Sequence, residues 1–534
     1  MGWRQILVLG SIGSLLQAAV MAQTPAPVRY DTLVLCPTAF QPALEAWFGM
    51  RQAQGHRLLV QAPARNAYQL QQQIRRLAAE HPLQTLILIG DAVADRGQGP
   101  GNTVPTDYRI AKVNSLYGGE PEIATDFSFA DLDGDGRQDL HLGRIPADSS
   151  EELAAYLHKV IQYEQSSDYG PWRRRIELVA GVGNFDPIVD SVIEQTARRL
   201  VTDLVPAWYE VNVTVANWRS PYCPDPRHIG SVIVERVSDG CLYWVYMGHS
   251  TPEALAPLDA GRLQFPVFEQ RHATQVHCEQ GSPIAFFFSC YTGAFDARRD
   301  CLAENLLRNP QGPVACVCGT RMTMPYGLAT FSHEILQATG RDPQPHLGAL
   351  LTVAKQRLCQ SAEANGGEED YRGMIETLGQ TFSPTATLLD LERHEHAQMI
   401  HLLGDPLLRI AQPGKLELQL DVAELEPGKP VRVSGVAAAA GTLTLELCYN
   451  RDRLRIRPPR RKQLDFGDAS SRNFEQTYAG SNDMVCCRQQ IPVETGVFSA
   501  ELNVPAEAGG ACHVRGYLQG NDQAWAQAVP ILLK

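Results

Sequence analysis

Positive charge is in short supply in this chain. Against 59 Asp and Glu stand only 47 Lys and Arg, a formal net charge of -12 over 534 residues. That excludes general nucleic-acid binding, which needs a basic surface to neutralise phosphates. Beyond residue 22 there is no apolar run long enough to span a bilayer, so no integral membrane segment is expected there. Zinc-type ligand spacing is lacking too. Cys316 and Cys318 form a lone C-x-C pair without a second pair or neighbouring histidine, and on a helix His394 and His396, the first two of the His394, His396, His401 cluster, face different sides. The 13 cysteines are odd in number and mostly sit singly in apolar stretches, which speaks against a disulfide-stapled scaffold.

What the chain does carry begins with a secretory pattern. Arg4 supplies a basic start, Ile6 to Leu16 an apolar stretch, and Val20-Met-Ala22 a small-residue cleavage site, so residues 1–22 read as a signal peptide and the protein as exported, to the periplasm, cell surface or medium. The length calls for more than one core. Thr32 to Cys36 and Thr85 to Gly90 read as central strands, with amphipathic helices over 42–54, 70–79 and 150–165. Ile176 to Gly181 and Trp208 to Val215 continue the strands, and 187–205 and 230–238 the helices. Strands alternating with helices predict an α/β fold with mostly parallel sheets, divided into subdomains at 28–165 and 172–412 around a hinge at Ser166 to Pro171. From Pro413 the texture becomes alternating apolar and polar with turn signals and no helix-length period, which predicts an immunoglobulin-like β-sandwich over 413–534. The basic stretch Arg453 to Lys462 reads as an exposed loop within it.

Two apolar runs carry the chemistry. Trp244-Val-Tyr-Met-Gly-His249-Ser250 and Ile284-Ala-Phe-Phe-Phe-Ser-Cys290-Tyr each read as a buried strand ending in a small-residue turn with one reactive side chain. Neighbouring parallel strands bring such groups to one crevice. A thiol beside an imidazole is a nucleophile beside its base. Backbone N–H groups at these turns, flanked by Gly248 and Ser250, are the natural donors for an oxyanion. The bland alternative is that Cys290 is an inert core residue. A second signal lies in Asp131-Leu-Asp133-Gly-Asp135-Gly, where D-x-D-x-D-G spacing points three carboxylates into one turn, as an oxygen cage for calcium requires. Leu142 stands where an EF-hand has its bidentate glutamate, so this is not an ordinary EF-hand.

Tyr246-Met-Gly-His-Ser-Thr, Phe288-Ser-Cys-Tyr-Thr-Gly-Ala-Phe295 and Cys301-Leu-Ala-Glu-Asn-Leu306 resemble, in order and spacing, the His turn, nucleophile turn and following helix of the gingipain-type (C25) cysteine peptidases. Leu86 to Asp91, Asp133 to Pro146 and Leu403 to Ile410 resemble the same family's flanking patterns. The resemblance implies a catalytic region similar to the caspase-like fold, a protein or peptide substrate, and chemistry that needs no cofactor, with calcium only structural. It implies Cys290 as nucleophile, His249 as base and Asp139 as the acidic group that orients the imidazole. Asp139 also occupies the ninth position of the aspartate loop, which makes it equally a ligand candidate. Relatives generally carry Gly directly after the histidine where this chain has Ser250, and Glu152 and Asp296 are candidates for a specificity carboxylate. The competing class is a non-enzymatic surface or periplasmic scaffold on the same fold. A transpeptidase using the same chemistry is a third.

Overall fold

In a computed structural model, the structure describes residues 29–92, 102–181, 183, 201–340, 344–360, 371–422, 424–458 and 461–534. The expected signal peptide therefore lies outside the described residues, as does most of the expected 187–205 helix.

Ten strands build one continuous sheet. In chain order they are β1 (Thr32–Leu35), β2 (Leu58–Gln61), β3 (Thr85–Ile89), β4 (His141–Ile145), β5 (Arg175–Ala180), β6 (Glu210–Val215), β7 (Tyr243–Met247), β8 (Ile284–Phe288), β9 (Ala315–Gly319) and β10 (Ile400–Leu403). Across the sheet they run β2-β1-β3-β4-β10-β9-β8-β7-β5-β6. Every neighbouring pair is parallel except β9 with β10. The near-continuous burial of β1, β3, β8 and β9 is that of parallel strands covered on both faces by helices. The two predicted α/β units thus share a single sheet. Its seam is β10, which pairs with β4 on one side and β9 on the other.

Local signals hold where they were strongest. The helix at Ala67–Glu80 starts on Asn66, whose side chain accepts the Gln69 N–H, and the one at Ser150–Glu164 on Ser149, which accepts from Glu152. The second of these also presents Leu153, Leu157 and Val160 to the core.

The C-terminal residues form two mainly antiparallel sheets around their own apolar core, which includes Leu418, Val433, Leu445, Phe498, Val514 and Leu518. One expectation fails here. Asp468–Asn482 is a helix, inserted between two strands of this unit. Its apolar residues are few, Phe474 and Tyr478 being the large ones it buries, and pairing with β6 adds to their packing: the Asn482 side chain accepts the Val213 N–H and donates to the Val213 carbonyl, and Tyr478 Oη meets Thr214 Oγ1 at 2.8 Å. The helix thereby occupies hydrogen-bonding groups of an edge strand that would otherwise stand open. Nor is the basic stretch simply an exposed loop, because Arg461 lies over the Phe474 ring, 3.8 Å from its centroid, and donates to the Ser220 carbonyl at 2.7 Å.

The C-terminal unit is clamped to the ten-stranded sheet through Glu446. Its buried carboxylate receives Arg174 (3.0 and 3.1 Å) from just before β5, and Arg488 (2.7 Å) and Arg515 (2.9 Å) from its own unit. Burial pushes this carboxyl up, but the guanidinium charges of Arg515, Arg174 and Arg488 outweigh it and hold the group down at about 2.

Candidate active site

One β-strand register decides the site. Met247 of β7 pairs with Phe288 of β8, and each strand then runs two residues further to its reactive group, His249 or Cys290. Adjacent strands lie roughly 4.8 Å apart, so equal offsets from a paired position put the two residues beyond neighbouring strand ends on the same edge of the sheet. Both residues are half-buried.

The backbone at each turn is specialised. Tyr291, directly after the nucleophile candidate, has φ 56° and is the only non-glycine residue with positive φ among the described residues. Such a conformation costs on the order of 1–3 kcal/mol and persists only where surroundings impose it. Here they do: the Tyr291 N–H donates to the Arg321 carbonyl, the Gly293 N–H to the Gly319 carbonyl, and the Tyr291 hydroxyl to Glu120 at 2.8 Å. On the histidine side Gly248 has φ 156°, and a Cβ there would lie 2.9 Å from the Gly181 Cα. Only glycine lets the ends of β5 and β7 approach so closely. The His249 carbonyl accepts from Tyr246 Oη at 2.6 Å and from the Ala256 N–H at 2.9 Å, which fixes the turn from both sides.

His249 Nε2 faces the Gly183 carbonyl within hydrogen-bonding distance. If that nitrogen donates, the neutral ring carries its acceptor at Nδ1, the tautomer able to take a proton from a thiol. The group that meets Nε2 is thus a backbone carbonyl. Asp139 is elsewhere. Its N–H bonds back to the Ala130 carbonyl, its Oδ2 accepts the Leu132 N–H at 2.7 Å, and the strand it precedes, β4, lies four positions from β7, on the order of 20 Å. Local loop closure, invisible in the spacing, decides this.

The two turns are joined through Ser250, whose hydroxyl donates to the Cys290 carbonyl. The side chain that relatives are expected to lack is thus built into the site. The Gly248 N–H is taken by the Phe288 carbonyl at 3.4 Å and is not an oxyanion donor. The N–H groups of Ser250 and Cys290 have no acceptor among the described residues.

The loop following β9 closes the other side. Arg321 forms a two-pronged pair with Asp296 (2.9 and 2.7 Å) and donates to the Glu122 carbonyl at 3.0 Å. This takes up Asp296 as a specificity carboxylate. Glu152 is likewise engaged, at the start of its helix, accepting the Asp148 N–H at 3.0 Å.

Asp131, Asp133 and Asp139 each bring a carboxylate oxygen within 4.8 Å of the others, the one such acidic, histidine or cysteine cluster among the described residues. Asp135 stands outside that group and accepts the Arg137 N–H at 2.8 Å. The Asp131 carboxyl is raised by burial and by the neighbouring charges of Asp135 and Asp139, which outweigh the Gly134 and Gly136 N–H groups. His396 and His401 are committed elsewhere: His396 Nε2 accepts the Met324 N–H and His401 Nε2 meets the Gln398 carbonyl.

All 13 cysteines are free thiols, nine buried and only Cys290, Cys359, Cys486 and Cys487 partly exposed. Burial pushes Cys36, Cys223, Cys278 and Cys316 up to about 12, which makes them inert packing residues.

A mostly parallel α/β sheet that sets a cysteine and a histidine beyond adjacent strand ends is the architecture of a cysteine peptidase. The family model for peptidase family C25 matches residues 26–411, and the chain belongs to that family. Among solved structures it is similar to the Arg-specific cysteine proteinase gingipain R (RgpB), with TM-score 0.53 and 14% identity over 95% of this chain and 98% of that one. It is also similar to the complex of Porphyromonas gingivalis RgpB pro- and mature domains, with TM-score 0.50 and 15% identity over 94% and 100% of the respective chains. A search of the curated proteins finds no match. The structural likenesses establish the fold.

Proposed function

We propose that the protein is an exported cysteine endopeptidase in which Cys290 is the nucleophile and His249 the general base. The observation that carries this reading is the β7–β8 register, Met247 opposite Phe288, with His249 and Cys290 at equal offsets beyond it. In the first step His249 takes the thiol proton, Cys290 Sγ bonds to the peptide carbonyl carbon, and the oxyanion is met by the N–H groups of Cys290 and Ser250. The C–N bond then breaks as His249 returns the proton to the leaving amine. Water, deprotonated by His249, displaces sulfur from the acyl-enzyme and regenerates the thiol. A scaffold has no need of this pair or of a strained residue after it.

The cleaved peptide's side-chain preference is left open by the site, since Asp296 is neutralised by Arg321. We include in the proposal a structural calcium held by Asp131, Asp133 and Asp139, whose clustered hard oxygens fit such a cation, and an immunoglobulin-like topology for the C-terminal sheets.

The test is labelling by a peptidyl thiol-alkylating probe, read peptide by peptide, with hydrolysis of unlabelled peptides measured in parallel. Cys290 should label far faster than Cys359, Cys486 or Cys487, and Cys290→Ala or His249→Ala should abolish turnover by at least about a thousandfold. Equal labelling of the four, with unchanged hydrolysis in Cys290→Ala, overturns the reading. Product analysis with an added amine separates hydrolysis from transfer.

A further inference from the structure

The sulfur of Cys290 meets a residue of the loop after β9. Thr323, in the loop after β9, directs its backbone N–H to Cys290 Sγ at 3.3 Å, while its hydroxyl lies 3.6 Å and its carbonyl 3.7 Å from the same atom. Thr323 is itself buried. Its position is imposed from several directions: Arg321 is pinned by Asp296 and the Glu122 carbonyl, the Met322 carbonyl accepts the Asn114 side-chain amide, and the Met324 N–H donates to His396.

We propose that Thr323 is a thiolate-stabilising residue, its N–H and hydroxyl together holding the ionised sulfur of Cys290. The inference rests on the reading of Cys290 as nucleophile. A thiolate is only an acceptor, so donors favour it and acceptors favour the thiol. The Thr323 carbonyl accepts from the protonated thiol and works against ionisation, but it is the longest of the contacts. The N–H is the shortest and always a donor. The hydroxyl rotates: it can accept from the thiol, then donate once the proton has left. A hydrogen bond to a charged group exceeds one to its neutral form, so the set favours the thiolate. Other titratable or charged groups around Cys290 are His249 and Tyr246 from β7 and its turn, Tyr291 with Glu120, and the Arg321–Asp296 pair.

This assignment also gives the strained turn a purpose. Arg321 fixes the Tyr291 backbone and Thr323 fixes the Cys290 sulfur, so one short loop sets both the conformation and the ionisation of the nucleophile.

The experiment uses the full chain and iodoacetamide, with the rate of Cys290 modification followed by peptide mass spectrometry from pH 5 to 10 in wild type, Thr323→Val, Thr323→Ser and Thr323→Ala. Valine keeps the shape, the N–H and the carbonyl and removes only the hydroxyl. Thr323→Val and Thr323→Ala should move the midpoint to higher pH and slow modification at pH 6 by roughly three- to tenfold, with rates converging above the midpoint. Thr323→Ser should return the midpoint to the wild-type value. An unchanged midpoint in Thr323→Val, or an equal shift in Thr323→Ser, overturns the assignment. Since the readout is alkylation, a wild-type chain that modifies with the expected profile but cleaves no peptide would sink the peptidase reading while leaving the role of Thr323 standing.

Discussion

At the scale of single residues, Ser250 separates family resemblance from this molecule's own design. A glycine after the histidine leaves the backbone free, whereas the Ser250 hydroxyl ties the His249 turn to the Cys290 carbonyl. The tie does not bury the Ser250 N–H in another hydrogen bond among the described residues. Removing it should loosen the relation between the two turns without opening a core cavity. Ser250→Ala is expected to lose about 1 kcal/mol of transition-state stabilisation, roughly fivefold in kcat/KM, with little change in thermal midpoint. Steady-state kinetics beside a melting curve checks this; an unaltered kcat/KM would make the hydroxyl incidental.

Among elements, the aspartate loop and the nucleophile turn show opposite uses of local geometry. In the loop, Gly134 and Gly136, both at φ 82°, let the chain fold back so that their N–H groups reach Asp131 while Asp133 and Asp139 close in. Three carboxylates so close repel one another unless a cation lies between them. Calcium should therefore raise the unfolding temperature, by the equivalent of about 2.7 kcal/mol at a hundred times its dissociation constant. Asp131→Asn should abolish that response. A melting temperature that is the same with calcium and with a chelator would remove the ion from the proposal. In the nucleophile turn the strain falls on a non-glycine residue, Tyr291, and surrounding hydrogen bonds hold it there.

For the molecule as a whole, Glu446 is the test of how the C-terminal unit is joined to the sheet. Arg174 and Arg515 are buried with it, so neutralising the carboxylate strands their charges. Glu446→Gln should destabilise by about 3 kcal/mol, measured by chemical unfolding. The sign of the pH dependence follows from a folded-state value of about 2 against an ordinary 4.5. Stability contributed by this carboxylate is complete above about 4.5 and is lost as the pH falls toward 2. The wild-type acid limb should accordingly be steeper over that window than that of Glu446→Gln. Coincident limbs would mean that the clamp carries no net energy.

How much of this was legible beforehand depends on the range of the interaction. Strands such as Thr85–Ile89, capped helices such as Ser150–Glu164, and the two reactive turns follow from apolar periodicity and turn residues, which neighbours along the chain decide. The helix at Asp468–Asn482 was not legible because it buries only Phe474 and Tyr478 as large apolar side chains, too few for a recognisable stripe, and side-chain pairing with β6 helps hold it in place.

The sequence by itself determined the α/β class and the order of the elements, and it singled out the thiol and imidazole on which the proposed chemistry rests, since short-range patterning suffices for each. The tertiary structure alone decided that one sheet with β10 as its seam unites both halves, that Gly183 rather than Asp139 meets His249, and that Thr323 touches the sulfur. Those contacts join segments far apart in the chain, and it is strand register and loop packing, not the spacing of residues, that brings them within reach of one another.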